Sequence, residues 1–254
     1  MQVIITIPAY NEERTLGRVI DEIKNEMRST SYKYKILVLN DGSADKTAEI
    51  AKNSGALVVS NKRNLGLAET FKREMQECLK LKADVIVHTD ADGQYPAHYI
   101  PQMIKIIDNG SDLVLGSRFR HGNYSGSLVK RWGNIAFAKV FSNILGIKIT
   151  DTTTGFRAFT SEVAQLPLIN SFTYTQEQLI RAHKEGHKIS ELHIQTKKTR
   201  RSRLFNGPLD YALKAWINIL RIYRDFAPLK FFGYIGTSLF SLGFVVGIYI
   251  IHHV

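Results

Sequence analysis

Two carboxylates stand one residue apart in Thr89-Asp90-Ala91-Asp92-Gly93-Gln94-Tyr95-Pro96, directly after the run Asp84-Val85-Ile86-Val87-His88. The run reads as a buried strand, and on an extended chain side chains two positions apart share a face. Asp90 and Asp92 can therefore converge on one cation. Hard oxygen donors that leave coordination positions open suit Mg2+ or Mn2+ carrying substrate phosphates. Such a tripeptide is also a common polar turn, so two rival motifs were weighed. An EF-hand loop needs glycine at its sixth position and a closing glutamate; a phosphatase with an aspartyl nucleophile wants Thr or Val where Gln94 stands. Neither pattern is met.

The elements that must position these residues follow from apolar periodicity. Strands are predicted at 3–7, 35–40, 56–60, 84–90 and 112–116, alternating with amphipathic segments, the pattern of βα units around a mainly parallel sheet. Leu16, Val19, Ile20, Ile23 and Met27 recur at helical spacing, predicting a helix from Glu12 to about Met27 with Asn11 as its cap. Ser43 and Gly55 are placed to start and stop a second, shorter helix. Polar residues gather just past the strand ends, the edge of an open α/β sheet where ligands bind. Three such loops predict one pocket.

In order along the chain, the segments IPAYNEE (7–13), LNDGSADKT (39–47), TDADGQYP (89–96) and GSRF (116–119) resemble the signature of family 2 glycosyltransferases, in particular dolichol-phosphate mannose synthases and related polyprenyl-phosphate glycosyltransferases. The resemblance spans residues 2–205 and implies an α/β nucleotide-binding fold of the glycosyltransferase A type, inverting transfer from a nucleotide sugar, and a divalent metal. It implies that Pro8, Tyr10 and Glu12 line the nucleotide pocket, that Leu39 and Asp41 contact base or ribose, and that Asp90 and Ala91 touch nucleotide or sugar. Asp92 and Gln94 would hold Mg2+ or Mn2+, and Arg118 would lie near the reacting phosphates. Arg131 and Asn134 resemble contacts to an acceptor phosphate, and DTTTGFRAF (151–159) contributes Asp151, Thr154 and Arg157 as site or site-supporting residues. The family's mobile basic loop departs here: in KKTRRSRL (197–204), Lys197 replaces its arginine, Arg200 its glycine and Arg203 its lysine. Charge is kept while the flexible glycine is lost.

The chemistry is coherent on physical grounds. A phosphate monoester, with a second pKa of about 6, is largely dianionic at neutral pH and can attack an anomeric carbon without a protein base. The obstacle is repulsion between donor and acceptor phosphates, about 4 kcal/mol per close charge pair at an effective dielectric of 20. A cation with Arg118, Arg131 and Arg203 would offset it. A hydroxyl acceptor would instead want a carboxylate base, for which Glu177 is the best placed residue. His88, in an apolar strand, reads as a packed core histidine.

The chain has 254 residues, 34 Lys and Arg against 23 Asp and Glu, and a net charge of +11, which points to anionic partners. Recognisable nucleic-acid modules are missing from the sequence, so a lipid or nucleotide phosphate is the expected anion. The single Cys78 reads as a buried, inert thiol, and the N-terminus lacks the pattern of a secretory signal. Residues 231–251 carry no charge, and as a helix would run roughly 32 Å, enough to cross a bilayer. The preceding flank, 201–230, holds six Lys or Arg against two Asp, which predicts a cytoplasmic catalytic domain. The expected organisation is thus a catalytic domain at 1–205, an amphipathic interfacial region at 206–228 and a transmembrane helix at 229–254.

Overall fold

A computed structural model describes residues 1–118, 135, 138–139, 141–143, 145–169, 174–197, 217, 220–221 and 224–253. Within these, strands β1 (Gln2–Ala9), β2 (Lys33–Asn40), β3 (Leu57–Ser60), β4 (Val85–His88), β5 (Leu113–Ser117), β6 (Arg157–Thr160) and β7 (Ile189–His193) form one sheet in the order β3-β2-β1-β4-β6-β5-β7. β1 pairs in parallel with β2 and β4, while β6 runs antiparallel between β4 and β5. The five strands read from the sequence are present. β6 and β7 were not anticipated: the first is four residues inside a segment read for its chemistry, the second has half-buried residues throughout and no clear alternation.

Helices α1 (Leu16–Arg28), α2 (Thr47–Asn53) and α4 (Tyr99–Asp108) cover one face of the sheet; α3 (Leu67–Lys80), α5 (Ser161–Ala164) and α6 (Tyr174–Lys184) cover the other. Strand alternation splits β1 accordingly. Val3, Ile5 and Ile7 pack beneath α1 and α4, whereas Ile4 and Thr6 face the α3 side. α1 buries Leu16, Val19, Ile20, Ile23 and Met27, the five residues its spacing singled out. Full burial of such side chains stabilises by about 1.5–3 kcal/mol each.

The caps differ from expectation. Asn11 takes a left-handed conformation at φ 54° and bridges two loops: its N–H donates to Ser43 Oγ and its side-chain oxygen accepts from Ala44 N–H, both at 2.9 Å. It is thereby drawn away from α1, which begins at Leu16. Ser43 is likewise committed to Asn11 and Asn40, and the start of α2 is held by Asp45, whose Oδ1 accepts the Thr47 N–H at 3.0 Å. Gly55 stops α2 as expected, at φ 71° with its N–H donated to Lys52 O.

The last described helix, α7 (Pro228–His253), is 26 residues long with no buried residue, and is apolar and long enough to cross a membrane. At 1.5 Å per residue it extends about 39 Å. Most of the amphipathic stretch at 209–224, with Trp216 and Tyr223, lies outside the described residues.

Candidate active site

The chain passes from β1 outward to β2 and β3, then returns to β4 on the other side of β1. Between β1 and β4 the connections diverge, which opens a crevice at the carboxyl ends of the strands. Three polar loops border it, those after β1, β2 and β4.

On the β4 side, Asp90 and Asp92 are half-buried. Asp92 Oδ1 accepts the Gln94 N–H at 2.9 Å across Gly93, which sits at φ 75°. This tight turn holds Asp92 and Gln94 together. Burial raises the Asp90 carboxyl to about 6; the charges of Asp92 and Glu74 push in the same direction, while His88 and Arg118 oppose it. Asp92 and the Gln94 side chain, held in one turn beside Asp90, offer hard oxygen donors, so Mg2+ or Mn2+ fits these residues. Ala91 is buried between Asp90 and Asp92.

Arg118 closes the far side. Its Nε donates to Asp151 Oδ2 at 2.7 Å and its Nη2 to Asp151 Oδ1 at 3.0 Å, a bidentate pair that also takes in Thr153 Oγ1 at 2.8 Å. Asp151 is buried and held in turn by Glu191, whose carboxylate accepts the N–H groups of Thr150 and Asp151 at 2.8 and 3.1 Å. The Arg118 charge is thus shared with Asp151. Thr154 is fully buried and its Oγ1 accepts the Phe156 N–H. Arg157 is fully buried too, donating to the carbonyls of Thr154 and Thr175 and to Gln178 Oε1; burial pulls it down to about 10. Thr154 and Arg157 therefore shape the loop from inside.

On the β1 and β2 side, Tyr10 is exposed and Pro8 half-buried at the crevice. Glu12 is buried, accepting from Thr15 Oγ1 at 3.2 Å while its N–H donates to Thr47 Oγ1 at 2.8 Å. Leu39 has no exposed surface, because strand alternation sends its side chain into the α3-side core; only its backbone borders the loop. Asp41 is buried and accepts from Asn61 Nδ2 (2.7 Å), Leu65 N–H (2.9 Å) and Gly66 N–H (3.0 Å). It anchors the 61–66 loop at the head of α3. Gly42, at φ 70°, lies so close to that loop that a methyl group there would sit 2.5 Å from the Arg63 carbonyl carbon.

Lys197 N–H donates to Gln94 O at 2.9 Å, bringing the first residue of the basic segment to the Asp92 turn. Arg200 and Arg203, like Arg131 and Asn134, lie outside the described residues. Glu177 is buried, accepts the Ile169 N–H, and pairs with Arg181 at 2.8 Å. Glu74, Glu191 and Asn61 escaped the sequence reading. Glu74 had a signal: it falls on the apolar face of α3 with Phe71, Met75 and Cys78. Asp112, Glu162 and His187 also group closely enough for a metal, at the opposite edge of the sheet.

The sequence model of glycosyl transferase family 2 matches residues 4–166. The chain belongs to that family. This glycosyltransferase is 34% identical over 199 residues to the dolichyl-phosphate hexose transferase of Haloferax volcanii, covering 75% of this chain and 80% of the relative. It is 31% identical over 183 residues to the dolichol-phosphate mannosyltransferase of Pyrococcus furiosus, covering 65% and 48%. It is 26% identical over 218 residues to a UDP-N-acetylglucosamine–dolichyl-phosphate N-acetylglucosaminyltransferase of Methanococcus voltae, covering 76% and 85%. Its fold is similar to that of glucosyl-3-phosphoglycerate synthase from Mycobacterium tuberculosis, solved with Mn2+, UDP and phosphoglyceric acid, at TM-score 0.68 and 21% identity over 87% of this chain and 77% of that one.

Proposed function

We propose that this glycosyltransferase moves a hexose, with inversion, from a nucleotide sugar to a polyprenyl phosphate at the cytoplasmic face of a membrane. The observation that carries the lipid acceptor is α7, a 26-residue, largely apolar helix with no buried residue. A membrane-resident acceptor gives such a helix a purpose. The leading donor is GDP-mannose, its sugar in keeping with the Pyrococcus relative's name, which says mannosyltransferase; the Methanococcus relative's name favours a UDP-sugar as the second reading.

In this reading an oxygen of the acceptor phosphate forms a bond to the anomeric carbon as the bond from that carbon to the donor diphosphate breaks, its electron pair leaving with the nucleoside diphosphate. No proton has to move. Pro8, Tyr10, Glu12 and the loop held by Asp41 receive the nucleoside; Asp90 and Ala91 border the sugar. Asp92 and Gln94 would hold Mg2+ or Mn2+, which supplies charge neutralisation at the diphosphate. Arg118, oriented by Asp151, faces the reacting phosphates, with Arg131, Asn134 and Arg203 assigned to the phosphates from the sequence alone. The alternative base, Glu177, is spent on Arg181 and Ile169, which further supports a phosphate nucleophile.

The test supplies polyprenyl phosphate in detergent with Mn2+ and, separately, GDP-mannose, UDP-glucose and UDP-N-acetylglucosamine, scoring glycolipid by mass spectrometry. Glycolipid from one donor, lost with chelator, is the expected result. Donor hydrolysis without glycolipid would overturn the acceptor and leave the donor site standing.

A further inference from the structure

Beneath Asp90 lies a pair of ionisable side chains that the chemistry above does not use. His88 and Glu74 are both fully buried, one on β4 and the other on α3. His88 Nε2 faces Glu74 Oε2 at 3.2 Å, and its Nδ1 faces the Gly155 carbonyl at 2.9 Å. Glu74 Oε1 accepts from Thr6 Oγ1 at 2.7 Å, and the Phe71 ring meets the imidazole edge-on at 5.0 Å. Each ring nitrogen thus looks at an acceptor. A neutral imidazole can donate from only one, and the hydrogen bond the ring makes is the one between Nδ1 and the Gly155 carbonyl.

What the ring grips is informative. Gly155 sits in the 151–156 loop that presents Asp151 and Thr153 to Arg118. The same glycine backs onto Asp90, since a methyl group on it would lie 3.4 Å from Asp90 Oδ1. Phe156, the next residue, stacks on Tyr95 at 5.0 Å. One tether therefore sets the spacing between Asp90, two residues past β4, and the loop that aims Arg118, across the gap in which the donor is proposed to bind. We propose that His88, beside Glu74, is a positioning residue for glycosyl transfer: through the Gly155 carbonyl it fixes the 151–156 loop, whose Asp151 orients Arg118, against Asp90 without touching substrate. This rests on the assignment of Asp90 and Arg118 to the donor site.

The experiment compares His88→Leu, His88→Asn and Arg118→Ala with wild type in the full chain, using whichever of the three nucleotide sugars wild type turns over. An asparagine amide places an N–H near the Nδ1 position and can still reach the Gly155 carbonyl, while both His88 variants leave Glu74 unpaired. Both should therefore melt at a similarly lowered temperature. His88→Leu should lower kcat by about 30-fold or more with donor KM changed less than about threefold, the signature of an interaction realised in the transition state. It should also speed amide hydrogen exchange at 151–156, and His88→Asn should restore most of both. If the unpaired acid prevents folding, the two variants are repeated with Glu74→Leu, which removes the orphaned charge. Unchanged kcat in His88→Leu, or kcat that tracks melting temperature in both variants, overturns the positioning role. Full turnover in Arg118→Ala overturns instead the site reading beneath it.

Discussion

At the scale of single residues, the carboxylates divide by what already holds them. Asp92 shares its turn with Gln94 and is half-buried at the crevice, so Asp92→Ala should abolish metal-dependent transfer, to below about 1% of wild type, without lowering the melting temperature; undiminished turnover would remove it from the metal site. Glu177 is the opposite case. Its carboxylate is buried and pairs with a half-buried Arg181, and removing it also takes away the acceptor of the Ile169 N–H, a cost of about 1–3 kcal/mol. Glu177→Ala should therefore melt markedly earlier yet keep kcat within about threefold of wild type per folded molecule, whereas a general base would show a loss of about 100-fold or more. Cys78 is buried, and desolvation together with Glu74 and Glu77 raises its pKa. The native thiol should resist iodoacetamide at pH 8 and react only on denaturation.

At the scale of elements, the proposed nucleotide side depends on a backbone approach that no side chain can share. Gly42 has both a positive φ and the Arg63 backbone where a Cβ would go, so Gly42→Ala must displace the 61–66 loop from Asp41. The expected cost is about 1–3 kcal/mol of stability. Nucleoside diphosphate affinity should weaken by about tenfold or more, measured by calorimetry. An affinity equal to wild type would place the nucleoside elsewhere. The same close packing explains why Asp41 looks structural and functional at once: its oxygens are occupied by the loop that frames the crevice.

At the scale of the whole molecule, α7 separates two tasks. Deleting 228–253 should give a protein soluble without detergent that still binds nucleotide with wild-type affinity, while transfer to a long-chain polyprenyl phosphate falls by about tenfold or more in kcat/KM. If the shortened chain transfers as well as the full one, the helix does not serve the acceptor. The +11 net charge acts over the same scale: with α7 in a bilayer as proposed, it would attract anionic lipid and raise the local concentration of phosphate-bearing substrates.

Periodicity alone determined the parallel half of the sheet, the buried stripe of α1 and the apolar span, because each depends on residues within one element. The Asp90 and Asp92 cluster was legible as a polar break after an apolar strand, although β4 ends at His88 and the chain turns at Asp92 instead of continuing extended. Tertiary structure decided what sequence neighbours could not. It drew Asn11 from a helix cap into a bridge with Ser43, sent Leu39 into the core, and joined Arg118 to Asp151 across 33 residues. It inserted β6 antiparallel between β4 and β5, and set Glu74 beside a histidine from another strand. Partners of a buried polar group are fixed by packing between distant segments, and local pattern carries no record of them.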